Sequence, residues 1–131
     1  MRKFGTVIVL VSLLLTLVLS ACGGKAADPA ARAVENYLNA LVNKDSTKLS
    51  ALSCAEWESN ALMELDSLQA VTASLDGVTC TTSSASGTTS DVKCQGKILY
   101  TYNNENQTLD LSALTYQVTQ QGGEYLVCGQ K

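Results

Sequence analysis

Around Gly77-Val78 the chain changes its hydrophobic period, and no other feature constrains the fold as much. Before that point apolar residues recur every three or four positions, the spacing of one helix face. After it Thr, Val and Tyr alternate with polar residues at period two, the signature of strands. Helices first and a meandering antiparallel sheet after is the α+β pattern. The expected architecture is N-terminal helices packed on a curved antiparallel sheet.

The helical half divides further. Asp28-Pro29 supplies a start, with Asp as N-cap and Pro in the first turn. Val34, Tyr37, Leu38, Leu41 and Val42 form the apolar stripe of this helix, which should end near Asn43-Lys44. Asp45 is placed to cap a short turn over 46–52 that buries Leu49 and Leu52. Ser53-Cys54-Ala55-Glu56 matches a capping box, in which Ser and Glu satisfy each other's free backbone donors. It predicts a long third helix with Trp57, Ala61, Leu65, Leu68, Val71 and Leu75 on its apolar side. Glu56, Glu58, Glu64 and Asp66 lie largely off that stripe, and Gly77 suits the residue just past the helix end.

In the strand half, a hairpin centred near Gly87 sets Val78 opposite Gly96, Cys80 opposite Cys94 and Thr82 opposite Val92. Ile98, Tyr100 and Tyr102 continue the inward face, and Asn103 to Asn106 form a polar turn. Leu109 and Leu111 are odd-numbered whereas Leu114, Tyr116 and Val118 are even, so the phase slips near Ser112-Ala113 and predicts a bulge or kink. A last turn at Gln121-Gly122-Gly123 pairs Val118 with Leu126 and Tyr116 with Cys128.

The amino terminus points to an address. Met1-Arg2-Lys3 is basic, Phe4 to Leu19 is apolar, and Leu19-Ser20-Ala21-Cys22 follows with small residues before the cysteine. The quartet resembles the bacterial lipobox, which implies removal of residues 1–21 as a signal peptide and lipidation of Cys22. Residues 22–28 then form a lipid-anchored tether and residues 29–131 one small α+β domain. The expected location is the cell envelope, lipid-anchored on the extracytoplasmic side of a bacterial membrane. Loss of Arg2 and Lys3 takes the formal charge from −3 to −5, and the remaining cations are scattered. Nucleic-acid binding, which depends on concentrated Lys and Arg, is excluded.

With Cys22 lipidated, four cysteines remain in an exported chain, which reads as two disulfides. The hairpin register favours Cys80–Cys94, leaving Cys54–Cys128 to pin the last strand to the start of the third helix. A four-thiolate zinc site needs closely paired ligands, but these cysteines are spaced by 26, 14 and 34 positions and the chain has no histidine. Neither a metal nor a cofactor is expected.

The stretch Ala33-Val34-x-x-Tyr37-Leu38-x-Ala40-Leu41, two further helices and the ending Tyr116-Gln117-Val118-x-x-x-Gly122-Gly123-Glu124-Tyr125-Leu126-Val127-Cys128-Gly129 together carry a resemblance. They resemble the nuclear-transport-factor-two-like cone fold, which includes ketosteroid isomerases, scytalone dehydratases and many bacterial lipoproteins. The resemblance spans about residues 29–130. It implies a cone-shaped cavity between sheet and helices and, as in many members, a homodimer formed through the sheet's outer face. Tyr37, Leu41, Trp57, Tyr100 and Tyr116 are the expected cavity-lining residues.

No catalytic constellation is assembled by spacing. Ser-His-Asp and Cys-His chemistry need an imidazole, and Gly122-Gly123 lies between strands rather than before a helix. The resemblance admits an isomerase or dehydratase acting on a small apolar substrate, with Asp66 or Asp110 as the acid; both read more simply as solvated. A third class is an envelope interaction or inhibitor module presenting the loop Ser83 to Ser90. The leading expectation is a non-catalytic domain that binds a small apolar or amphipathic ligand, or an envelope protein.

Overall fold

Asp28 accepts a hydrogen bond from the backbone N–H of Ala31 at 3.0 Å and starts helix α1, Pro29–Val42, with Pro in its first turn. The computed structural model describes residues 27–131. The signal peptide expected over 1–21, lipidated Cys22 and most of the 22–28 tether lie outside the described residues. Asp45 caps the short helix α2, Ser46–Ala51, through the Lys48 N–H at 3.0 Å. Helix α3 follows at Glu58–Ser67. The strands are β1 (Thr72–Ser86), β2 (Thr89–Tyr102), β3 (Glu105–Asp110), β4 (Thr115–Gln121) and β5 (Glu124–Gln130).

These form one five-stranded antiparallel sheet ordered β1-β2-β4-β5, with β3 also paired to β2. The long β2 serves both: Thr89–Lys93 pair with β4, and Lys97–Tyr102 pair with β3. Gly96 lies between the two pairings at φ +93°, opposite a bulge of β1 at Gly77. Bulges bend a sheet and increase its local twist. Val34, Tyr37, Leu38 and Leu41 of α1 share the core with Val92, Cys94, Tyr116, Val118 and Val127 of the sheet. The architecture is the α+β arrangement expected, helices on an antiparallel sheet.

Cys80 stands opposite Cys94 and Thr82 opposite Val92, the expected pairs, although Ser86 pairs with Thr89 across a two-residue turn and a bulge between Thr82 and Ser84 restores the register. The pairs Cys80–Cys94 and Cys54–Cys128 are at disulfide distance, with Cα separations of 4.0 and 4.9 Å. The expected partnership of Val78 with Gly96 falls instead at the bulge, where the register shifts between Asp76 and Thr79.

The third helix is much shorter than the sequence predicts. Ser53 does not cap it: the Ser53 hydroxyl donates to the Leu49 carbonyl at 2.8 Å, and Trp57 occupies the N-cap without a side-chain bond. The cause is tertiary. Val127 N–H donates to Leu52 O and Cys54 N–H donates to Val127 O, both at 2.8 Å, so residues 52–54 lie parallel along β5. At the other end, Thr72 to Leu75 pair with Ile98 to Thr101 as strand. Val71, Ala73 and Leu75 are half-buried while Thr72, Ser74 and Asp76 are exposed, a period of two. Gly77 does adopt positive φ (+61°), but inside β1 and not past a helix end.

Two smaller differences concern turns. Gln121 pairs with Glu124, so Gly122-Gly123 is a two-residue turn with both φ positive, and Val118 meets Val127 rather than Leu126. A bulge then sets Tyr116 opposite Gln130 rather than Cys128. Paired glycines suit the primed turn that matches strand twist, so the register slips by one from a three-residue loop. The phase change near Ser112 is a single 3-10 turn, Leu111–Ala113, capped by Asp110 at 2.8 Å from the Ser112 N–H.

Candidate functional site

The end of α3 and the sheet strands β2, β3, β4 and β5, with Leu41 of α1 behind them, leave a cavity of about 220 Å3 between them. Leu41, Leu68, Ile98 and Leu109 supply apolar walls; Glu64, Ser67, Tyr100, Tyr116 and Gln130 supply polar atoms. Helical spacing puts Glu64 here. Positions 57, 61, 64 and 68 follow one face of a helix, and Ala61 and Leu68 on that face are buried.

The carboxylate is the hub of the site. Tyr37 is fully buried in α1 and its hydroxyl donates to Glu64 Oε2 at 3.0 Å. Trp57 Nε1 donates in turn to Tyr37 Oη at 3.2 Å. The Tyr37 and Tyr116 rings pack with centroids 6.3 Å apart at 58°, a separation in the favourable range for tilted aromatic pairs. Gln130 Nε2 donates to Tyr116 Oη at 3.5 Å.

Burial raises the proton affinity of Glu64, partly offset by the Tyr37 hydroxyl. Burial likewise pushes all three phenols up, and the Glu64 charge pushes them further, so they are neutral donors at physiological pH. Two ion pairs are present among the described residues, Lys97–Asp76 and Lys131–Asp91, and neither involves Glu64. Such a site can accept hydrogen bonds at the carboxylate, donate them from phenols, hold a cation or exchange a proton. No cluster of metal-ligating side chains occurs among the described residues.

The residues singled out from the sequence fall in different places. Leu41, Tyr100 and Tyr116 line the cavity. Tyr37 stands behind it, reaching Glu64 by its hydroxyl, and Trp57 lines an open outer groove that shares Glu64 and Ser67 with the cavity. Tyr102 continues the face of Ile98 and Tyr100 but is 53% exposed, standing at the end of β2 opposite Glu105 beside the turn into β3. Asp66 is exposed on α3 and Asp110 caps the 3-10 turn, so neither proposed acid lines the cavity. Glu64, grouped by the sequence with the surface acids, lines it instead.

Glu64 leaves a mark on stability. Its folded-state affinity for a proton exceeds the ordinary value near 4.5, so folding favours the protonated acid. Stability is therefore greatest below that value and falls as pH rises through the raised one. Glu64→Gln keeps an acceptor for Tyr37 and carries no charge. At pH 7 it should be more stable than the parent by on the order of 1 kcal/mol, allowing for the solvent that still reaches the carboxylate. Urea unfolding at pH 7 and pH 4 checks this: the gain should shrink at the lower pH. A gain equal at both would show that burial of charge is not its source.

No family model and no curated sequence matches the chain. Among solved structures, an NTF2-like protein with a cystatin-like fold from Novosphingobium aromaticivorans is similar, with TM-score 0.55 and 12% identity over 97% of this chain and 86% of that one. A SEC-C motif containing protein from Rhodopseudomonas palustris matches with TM-score 0.53 and 11% identity over 80% of each chain. At these identities the likeness concerns fold alone: three helices on a five-stranded antiparallel sheet, in the manner of nuclear-transport-factor-two-like proteins.

Proposed function

We infer that this protein is a lipid-anchored binding domain of the bacterial cell envelope that takes a small amphipathic molecule into the cavity beside Glu64. The observation that carries the reading is the cavity itself, apolar on Leu41, Leu68 and Ile98 and polar on Glu64 and two tyrosines. Small-molecule sites typically combine apolar walls with a few convergent polar groups. The fold neighbours are consistent with such a domain. The anchoring half rests on Leu19-Ser20-Ala21-Cys22 and the basic, then apolar, segment before it.

Native mass spectrometry of the exported chain carrying Cys22→Ser, before and after denaturation, tests the binding half. A bound mass released on denaturation is expected, and Leu109→Trp, which fills the cavity from its more exposed side, should remove it. The unsubstituted chain should incorporate labelled fatty acid in cells, and Cys22→Ser should not. A bare mass from both proteins would defeat the binding reading, and absence of label would defeat the anchor.

A further inference from the structure

Among the described residues no Lys or Arg lines the cavity that holds Glu64, and the chain has no histidine. Among the described residues its carboxylate accepts one hydrogen bond, from the Tyr37 hydroxyl to Oε2, which leaves Oε1 for a ligand. A half-buried carboxylate is costly to keep unless something neutralises it. Tyr100 and Tyr116 line the same space, and aromatic rings attract cations through their quadrupoles. Leu41, Leu68 and Ile98 then offer apolar walls.

We propose that the cavity selects a small organic cation, an ammonium group on an apolar body, with Glu64 as counter-ion and Tyr100 and Tyr116 as the aromatic wall. The proposal rests on the reading that the cavity binds a small molecule. Its volume of about 220 Å3 exceeds the ~150 Å3 that admits benzene, so a single ring with a short amine arm fits. The charge-assisted hydrogen bond to Glu64 fixes the ammonium end, and the leucines and Ile98 take the ring.

Three probes of one shape separate the outcomes: phenethylamine, its neutral isostere propylbenzene, and phenylacetate. Binding to the exported Cys22→Ser chain is read by calorimetry and by thermal shift. The amine should bind about tenfold or more tighter than the neutral isostere, and phenylacetate weakest of all. Glu64→Gln should erase the preference for the amine while leaving propylbenzene bound. Tyr100→Leu should weaken the amine more than the isostere.

The groups that titrate around the site are Glu64 from α3, Tyr37 from α1, Tyr100 from β2 and Tyr116 from β4; β3 and β5 contribute Leu109 and Gln130, which do not. Below neutrality only Glu64 changes charge. The amine's advantage should therefore fade as pH falls and the carboxyl protonates, with the isostere unaffected. Equal or stronger binding of propylbenzene or phenylacetate overturns the cation proposal while leaving the cavity reading intact. No binding of any probe defeats both.

Discussion

Replacing Cys54 and Cys128 together by alanine should lower stability by about 4–5 kcal/mol, more than any other pair of substitutions considered. The bridge joins residues 74 positions apart, and in the chain-entropy picture a long closed loop constrains the unfolded chain most. The Cys80–Cys94 bridge closes only 14 positions, so its double alanine variant should lose about 3 kcal/mol. For a domain of this size the larger loss corresponds to a fall in Tm of about 20 °C or more. There is also a local reason for the order. Cys54 belongs to the segment lying parallel along β5, so breaking the bond loosens the join between α2, α3 and the sheet. Chemical unfolding of the two double variants under oxidising conditions checks both statements. Equal losses would mean that loop length does not govern the effect.

Gly96→Ala should cost about 3 kcal/mol, from backbone strain and a forced clash together. At φ +93° a Cβ on Gly96 would lie 2.6 Å from the Gly77 carbonyl oxygen and 2.7 Å from that of Asp76. Backbone atoms are in the way, so no side-chain rotation relieves it. Gly87→Ala, at φ +60° with nothing within 4 Å, is the matched control and should cost only about 1 kcal/mol. Gly96 is where β2 passes from pairing with β4 to pairing with β3. Ile98 and Tyr100 follow directly on, so the variant should also disturb the Glu64 cavity and weaken whatever it holds. Denaturant unfolding and near-ultraviolet circular dichroism read the two effects. If Gly96→Ala proved no worse than Gly87→Ala, the close approach of the two bulge residues would not be rigid.

Local chemistry made some elements legible and tertiary structure hid others. Asp28-Pro29 and the stripe from Val34 to Val42 specify α1 without help from the rest of the chain. Cys80 and Cys94 declare the first hairpin because they lie equally far from Gly87, although the turn is the two-residue Gly87-Thr88 and a bulge between Thr82 and Ser84 is what sets them opposite one another. The start of α3 was not readable, since Ser53 is drawn to Val127, far away in sequence. Val71 and Leu75 fit both a helical stripe and a period of two, and only pairing with β2 decides between them. Glu64 was missed because a charged residue beside an apolar stripe normally marks the solvent side. Its spacing from Trp57, Ala61 and Leu68 was the available sign that it turns inward.

The strand edges bear on how such a domain behaves when many copies are crowded together. The Cys80 and Thr82 backbone N–H groups of β1 donate to the carboxylates of Glu35 and Asp28 on α1, at 3.0 and 2.8 Å. An edge whose donors are already engaged offers no template for another chain. Residues 52–54 cover the middle of β5 in the same way. That leaves β3, whose residues are all exposed and whose ends are Glu105 and Asp110. Growth of an open-ended ribbon needs two free edges on every copy. The engaged donors of β1 and the covered middle of β5 shorten the edge free for this, and the exposed β3 carries an acid at each end, which opposes pairing with a second copy.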